Sequence, residues 1–147
     1  MSKRTKHFSG FSVENGNISA KVSLDRFVKQ FEEAQFYLDS QVMSDMTPYM
    51  PSQTGTFINV TKAQSASLAG TGKVVAGAAP QGRFLYYGKV MVDPVTESPW
   101  ARPGAKKVVT DKDLTYGSPK ATPKWFETAK KNHGKAWIDG VKKHAGG

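Results

Sequence analysis

Between Leu24 and Met46, apolar residues return at nearly every third or fourth position: Leu24, Phe27, Val28, Phe31, Ala34, Leu38, Val42 and Met46. That period fits an α-helix with one apolar stripe. Glu32, Glu33, Lys29 and Asp39 fall largely off the stripe. Ser23 stands at the N-cap position, and Asp25 puts an acid in the first turn, where the helix dipole favours it. Thr47-Pro48 marks the stop, because the proline ring disfavours helix in the residue before it. The result is a rod of about 33 Å. Its stripe reads first as core. A single small sheet cannot cover both sides of such a rod, so the helix is also expected to meet a neighbouring subunit.

The chain of 147 residues, 38% of them hydrophobic, can build one modest core and leaves long exposed segments. Residues 1–16 read as a flexible basic tail, ahead of a single α+β domain over 17–147. Within that domain Ile18, Ala20 and Val22 alternate as one face of a strand. No run of about 18 apolar residues is present, so no membrane-spanning helix is expected. The opening MSKRTKHFSGFSV lacks the apolar segment of a secretory signal. There is no cysteine, which excludes disulfides, thiolate zinc sites and thiol nucleophiles, and fits synthesis in a reducing cytoplasm.

After the helix, Tyr49-Met50-Pro51 and Thr54-Gly55 force an extended corner. Phe57–Thr61 reads as a short strand or turn, residues 63–72 as a loop of small polar residues, and Lys73–Gly77 as a strand. Gly82–Asp93 is a compact aromatic block divided by Gly88. One helical turn is expected before Gly88, and a strand with Val90 and Val92 after it, ended by Asp93-Pro94. Its aromatics are read first as a core anchor. Residues 93–121 carry Pro94, Pro99, Pro103 and Pro119, with a strand only near Lys107–Thr110. They read either as a surface flap or as an extended arm that orders against another subunit. A last helix starts with Thr122 as N-cap and Pro123 at its first position and runs to about Lys143. Trp125, Phe126, Ala129, His133, Ala136, Trp137 and Val141 can share its inner face.

No catalytic constellation emerges. His7, His133 and His144 lack carboxylates at metal-site spacing, and no H-E-x-x-H, phosphate-binding loop or G-x-S-x-G occurs. Asn132-His133 matches the centre of a His-Asn-His nuclease only superficially. Neither an enzyme, a cofactor nor a metal is expected. Charge is uneven within the total of +9. Residues 1–73 hold eight Lys/Arg against six Asp/Glu, and residues 74–147 hold thirteen against six. The second half, with net charge +7, is the part that attracts a polyanion or an acidic protein surface.

Three stretches, in this order, resemble the minor capsid or neck proteins of long-tailed bacteriophages. They are Pro-Tyr-x-Pro-x-x-Thr-Gly (Pro48 to Gly55), Arg-Phe-Leu-Tyr-Tyr-Gly-Lys-Val-Met-Val (Arg83 to Val92) and Pro-Lys-Trp-Phe-Glu-x-Ala-Lys (Pro123 to Lys130). The resemblance covers nearly the whole chain from about residue 24. It departs at Ala76–Gln81, where relatives carry a Tyr-Ala-like pair. The family is also similar to tail-completion proteins.

The resemblance implies an α+β subunit, with a small antiparallel sheet packed by the long helix and the C-terminal helix. It implies a structural virion protein of the head–tail connector, assembled in the host cytoplasm. A homo-oligomeric ring, of six copies in preference to twelve, surrounds the DNA channel. Its neighbours are head-completion and tail-terminator or tail-tube proteins, and channel DNA is touched nonspecifically. Tyr49, Pro51, Thr54, Gly55, Arg83, Phe84, Tyr86, Tyr87 and Gly88 become the interface or core motif. Lys124, Lys130, Lys131, Lys135, Lys142 and Lys143 become the residues facing DNA or an acidic partner. The alternative is a nucleic-acid-binding accessory protein of the particle.

Overall fold

The computed structural model describes residues 11–16, 18–22, 25–51 and 55–146. Chain order is β1 (Phe11–Asn15), β2 (Ile18–Val22), α1 (Asp25–Met46), a 3-10 turn (Thr47–Tyr49), α2 (Thr56–Leu68), α3 (Gly82–Tyr87), β3 (Lys89–Val92), β4 (Val108–Asp113) and α4 (Trp125–His144). The fold is α+β, with α1 and α4 packed on each other. The strands form two separate antiparallel hairpins, β1–β2 and β3–β4, where one small sheet was expected. Helix packs on helix at the core, and β3 packs against α3.

The basic tail was expected to reach residue 16, but Phe11–Asn15 form a strand, with Phe11 opposite Val22 and Asn15 opposite Ile18. Residues 1–10 and the predicted cap Ser23 lie outside the described residues. Helix α1 has the predicted extent, but its stripe buries unevenly. Ala34, Val42 and Met46 of the stripe are buried, as is Met43 beside it, whereas Phe27 near the start is 51% exposed.

The core gathers Val42, Met43, Met46 and Met50 with Trp125, Ala129 and Trp137 of α4. Both tryptophan N–H groups are satisfied, as buried indoles require. Trp125 Nε1 donates to Ala76 O at 2.8 Å, and Trp137 Nε1 donates to Asp45 Oδ2 at 2.6 Å. At α4 the expected start is corrected. Pro123 stands before the helix, and Lys124 takes the N-cap position at φ 53° with no side-chain cap. Lys124 N–H instead donates to Tyr86 O at 2.7 Å, so a tertiary bond sets where the helix begins. Ala136, expected on the inner face, is exposed.

Two further expectations are overturned together. Phe57–Thr61 and residues 63–68 form the helix α2, and Lys73–Gly77 form no strand. The fully buried positions of α2 are Thr61 and Ser65, both polar. Ser65 Oγ donates to Val75 O and accepts Val75 N–H, while Thr61 Oγ1 accepts Ala78 N–H. Helix side chains thus satisfy the 75–78 backbone, which elsewhere a neighbouring strand would do. Asp39, expected off the stripe, is buried too, because its Oδ2 accepts the N–H groups of Gly70 and Gly72 at 2.9 Å each.

Candidate functional site

The aromatic block is one helical turn, and that geometry divides its side chains. Arg83 and Tyr87 face solvent, Tyr87 being 57% exposed, while Leu85 and Tyr86 turn inward against the core. Phe84 is half-buried. Tyr86 meets Trp125 edge-on at 4.9 Å and Tyr87 edge-on at 5.5 Å. Burial, and then the negative charge of Glu127, raise the Tyr86 hydroxyl above its ordinary pKa, so the ring stays neutral.

Gly88 ends α3 in the left-handed region at φ 71°, and its N–H donates to Phe84 O. A Cβ there would lie 2.8 Å from Pro123 Cβ, so glycine serves both the turn and the contact. The segment after β4 is tied to the same spot. Leu114 N–H donates to Gly88 O, and the Tyr116 hydroxyl donates to Leu85 O.

The corner after α1 joins this cluster. Tyr49 O accepts Thr122 N–H at 3.1 Å, and the Tyr49 hydroxyl accepts Asn132 Nδ2 at 3.1 Å. Half-buried His133 lies 6.3 Å from the Tyr49 ring, as a partly buried core residue. Pro51 and Gly55 line a cavity of about 290 Å³ with Leu85 and Tyr116. Thr54 lies outside the described residues.

Of the basic residues, Lys124 stands at this place through its backbone bond to Tyr86, and the others lie farther along α4. Lys124, Lys130, Lys131, Lys135, Lys142 and Lys143 are all exposed. Lys131, Lys135 and Lys142 follow at spacings of four and seven, which puts them on one outward face of α4. Lys130 and Lys142 also border an apolar groove of about 780 Å³ between α1 and α4, floored by Val42, Met46, Phe126 and Trp137. Among the described residues no cluster of His, Asp or Glu could hold a metal ion, and no helix is long and apolar enough to cross a membrane.

The expected arm is more built than its composition suggests. Sequence reasoning missed its organising residue, Asp93, which is fully buried. Asp93 Oδ1 accepts the N–H groups of Val95 and Thr96, and Oδ2 accepts the backbone N–H and Nε of Arg102. The signal was present in Asp93-Pro94 followed by Thr96 and Ser98, the residue types of a turn folded around an aspartate. The N–H and then the guanidinium of Arg102, followed by the Val95 and Thr96 N–H groups, hold the Asp93 carboxyl far below the usual carboxylate range, against the opposing effect of burial.

A pKa depressed in the folded state stabilises the loop fully above about pH 4, where the unfolded chain is also ionised. That contribution declines as pH falls further and vanishes once pH passes below the folded-state pKa. Hydrogen-exchange protection of Val95, Thr96 and Arg102 should therefore fall steadily from pH 4 to pH 2. In Asp93→Asn it should already be low at pH 7 and change little with acid.

Comparison with protein-family models, curated proteins and solved structures gives no significant match.

Proposed function

We propose that this chain is a structural, non-enzymatic subunit of the neck of a long-tailed bacteriophage, one copy in a ring around the DNA channel at the head–tail junction. The observation that carries the reading is convergence. The three stretches that resemble the neck family lie far apart in sequence yet meet at the start of α4. Tyr49 accepts from Thr122, Tyr86 accepts from Lys124, and the Tyr86 ring packs on Trp125. A motif order that also forms one physical unit is better support than three short matches taken singly. The exposed lysines of α4 then face channel DNA or an acidic neighbouring ring, and the head-completion and tail proteins lie on either side.

Particles assembled without the protein test this directly. Electron micrographs should show filled heads and finished tails accumulating apart; intact infectious particles in normal yield would end the reading. Reversing Lys130, Lys131 and Lys135 together to Glu should leave circular dichroism unchanged and stability within about 1 kcal/mol, since exposed charges contribute little to the monomer. Joining of heads to tails should nonetheless fail, because a ring repeats the reversal in every copy. Normal titres from a folded triple variant would make the basic face a solvated surface only.

One observation favours a second reading, a nucleic-acid-binding accessory protein: the net charge of +7 over residues 74–147. Tight binding of naked duplex DNA by the isolated protein would support it, with affinity falling by roughly 0.9 log units per log unit of salt for each phosphate contacted.

A further inference from the structure

The geometry points to the apolar groove between α1 and α4 as the seat of an acidic amphipathic helix from a partner protein. Helices α1 and α4 run antiparallel: the start of α4 is tied to the Tyr49 corner, and its end stacks His144 on Tyr37 at 4.4 Å. Between them, with the 72–76 segment as a third wall, lies the open space of about 780 Å³. Val42, Met46 and Trp137 floor it, and Leu38, Val74 and Ile138 wall it. Ile138 is 58% exposed there. A continuous apolar surface left open to water is costly and marks an interaction site. Gly134 thins the α4 wall midway. A Cβ there would touch only the Lys130 side chain, at 3.7 Å, so a partner can approach closely.

Charge selects the occupant. Lys130 and Lys142 border the groove, and neither forms an ion pair or hydrogen bond among the described residues. Asp39, the acid that lines it, is buried and already committed. Its Oδ2 accepts the N–H groups of Gly70 and Gly72, and its Oδ1 accepts the Gln35 amide at 2.9 Å. Glu127 stands one turn from Lys130, and Asp139 one turn from Lys142. Both acids lie outside the groove, and neither pairs with these lysines. The groove therefore attracts an apolar body that carries negative charge.

Spacing separates a protein segment from a lipid. The two lysines are twelve residues apart, about 18 Å along α4. A fatty-acid-like amphiphile has one anionic head and can meet one of them. A helix with apolar residues at every third or fourth place and acids toward both ends can meet both. Sign disfavours the chain itself: residues 1–10 carry Lys3, Arg4 and Lys6 with no acid, and a second copy brings a net charge of +9. The docking stands on the groove alone; that the partner is a neighbouring ring protein rests on the neck reading.

Fluorescence anisotropy of a labelled peptide of about five helical turns, added to the full chain, tests the docking. The peptide has Leu at helical spacing and Glu elsewhere; a second peptide has Lys for every Glu, and laurate is the lipid-like competitor. The acidic peptide should bind and the basic one should not. Lys130→Glu with Lys142→Glu should weaken the acidic peptide about tenfold, since two exposed charges change sign. Gly134→Leu should weaken it roughly thirtyfold by filling the groove. Its thermal midpoint should stay level or rise, because leucine is the better helix former. That variant keeps every charge, so it separates docking in the groove from attraction to the basic surface at large. The proposal is overturned if the acidic peptide does not bind, if the basic peptide binds as well, or if either variant binds like wild type. Laurate that displaces the peptide at equal concentration makes the groove a lipid site, and wild-type self-association lost in Gly134→Leu makes a second copy the occupant. Either result also overturns it. None of these outcomes alters the particle phenotypes that test the neck reading.

Discussion

Trp125→Ala is expected to lower unfolding free energy by about 3–5 kcal/mol, the cost of emptying a buried aromatic site. Trp125 has no exposed surface, and it joins three parts of the chain. Its ring takes Tyr86 edge-on at 4.9 Å and Phe57 edge-on at 6.1 Å, and its N–H holds Ala76 O. Truncation leaves that carbonyl without its donor and opens a cavity that α1, α3 and α4 can close only by moving together. Since domains of this size are stable by only about 5–15 kcal/mol, the loss is a large share of the total. Trp125→Phe keeps most of the volume and loses the donor, so it should cost about 1–3 kcal/mol. Urea unfolding with linear extrapolation checks both variants, and Trp100→Ala serves as control. That exposed tryptophan should change monomer stability by less than about 0.5 kcal/mol. Equal losses at Trp100 and Trp125 would overturn the placement of the core.

Gly82→Ala should destabilise by about 3 kcal/mol, although alanine is the better helix former by about 1 kcal/mol. Gly82 is buried at the start of α3. A Cβ there would lie 2.9 Å from Gly77 Cα and overlap the Gly77 carbonyl outright. The obstacle is backbone, and that backbone belongs to the segment held by Ser65, Thr61 and Trp125. It cannot swing aside as a flexible side chain would. Overlap therefore outweighs propensity. Thermal unfolding should show a midpoint lower by several degrees, and an unchanged or raised midpoint would mean that the 77–82 crossing is looser than described. Gly140 provides a contrast. A Cβ there would meet the Tyr37 ring, a side chain able to rotate away, so Gly140→Ala should cost less.

The elements legible in the sequence were those whose signal is local. Helix α1 declared itself through a stripe repeated along 22 residues and a proline stop. The turn–Gly88–strand order was legible because glycine at positive φ ends a helix wherever it occurs. Strand β4 and the body of α4 followed from β-branched residues and from aromatic spacing in the same way. The candidate site was half legible. The helical turn that carries Tyr86 and Tyr87 was expected, but nothing local said that Tyr86 would turn inward and Tyr87 outward.

Tertiary structure alone decided the rest. Helix α2 was hidden because periodicity detects apolar faces, and its fully buried positions are Thr61 and Ser65. Those hydroxyls face the 75–78 backbone, so the helix looked like a loop and its partner like a strand, each for want of the other. Asp39 read as a residue off the stripe and Asp93 as the end of a strand, and both are buried because backbone N–H groups from later residues converge on them. A buried carboxylate needs several such donors at once. Their arrangement exists only when the chain has folded, so sequence determined α1, α3 and the body of α4, while the assembled backbone determined α2 and which polar side chains went inside.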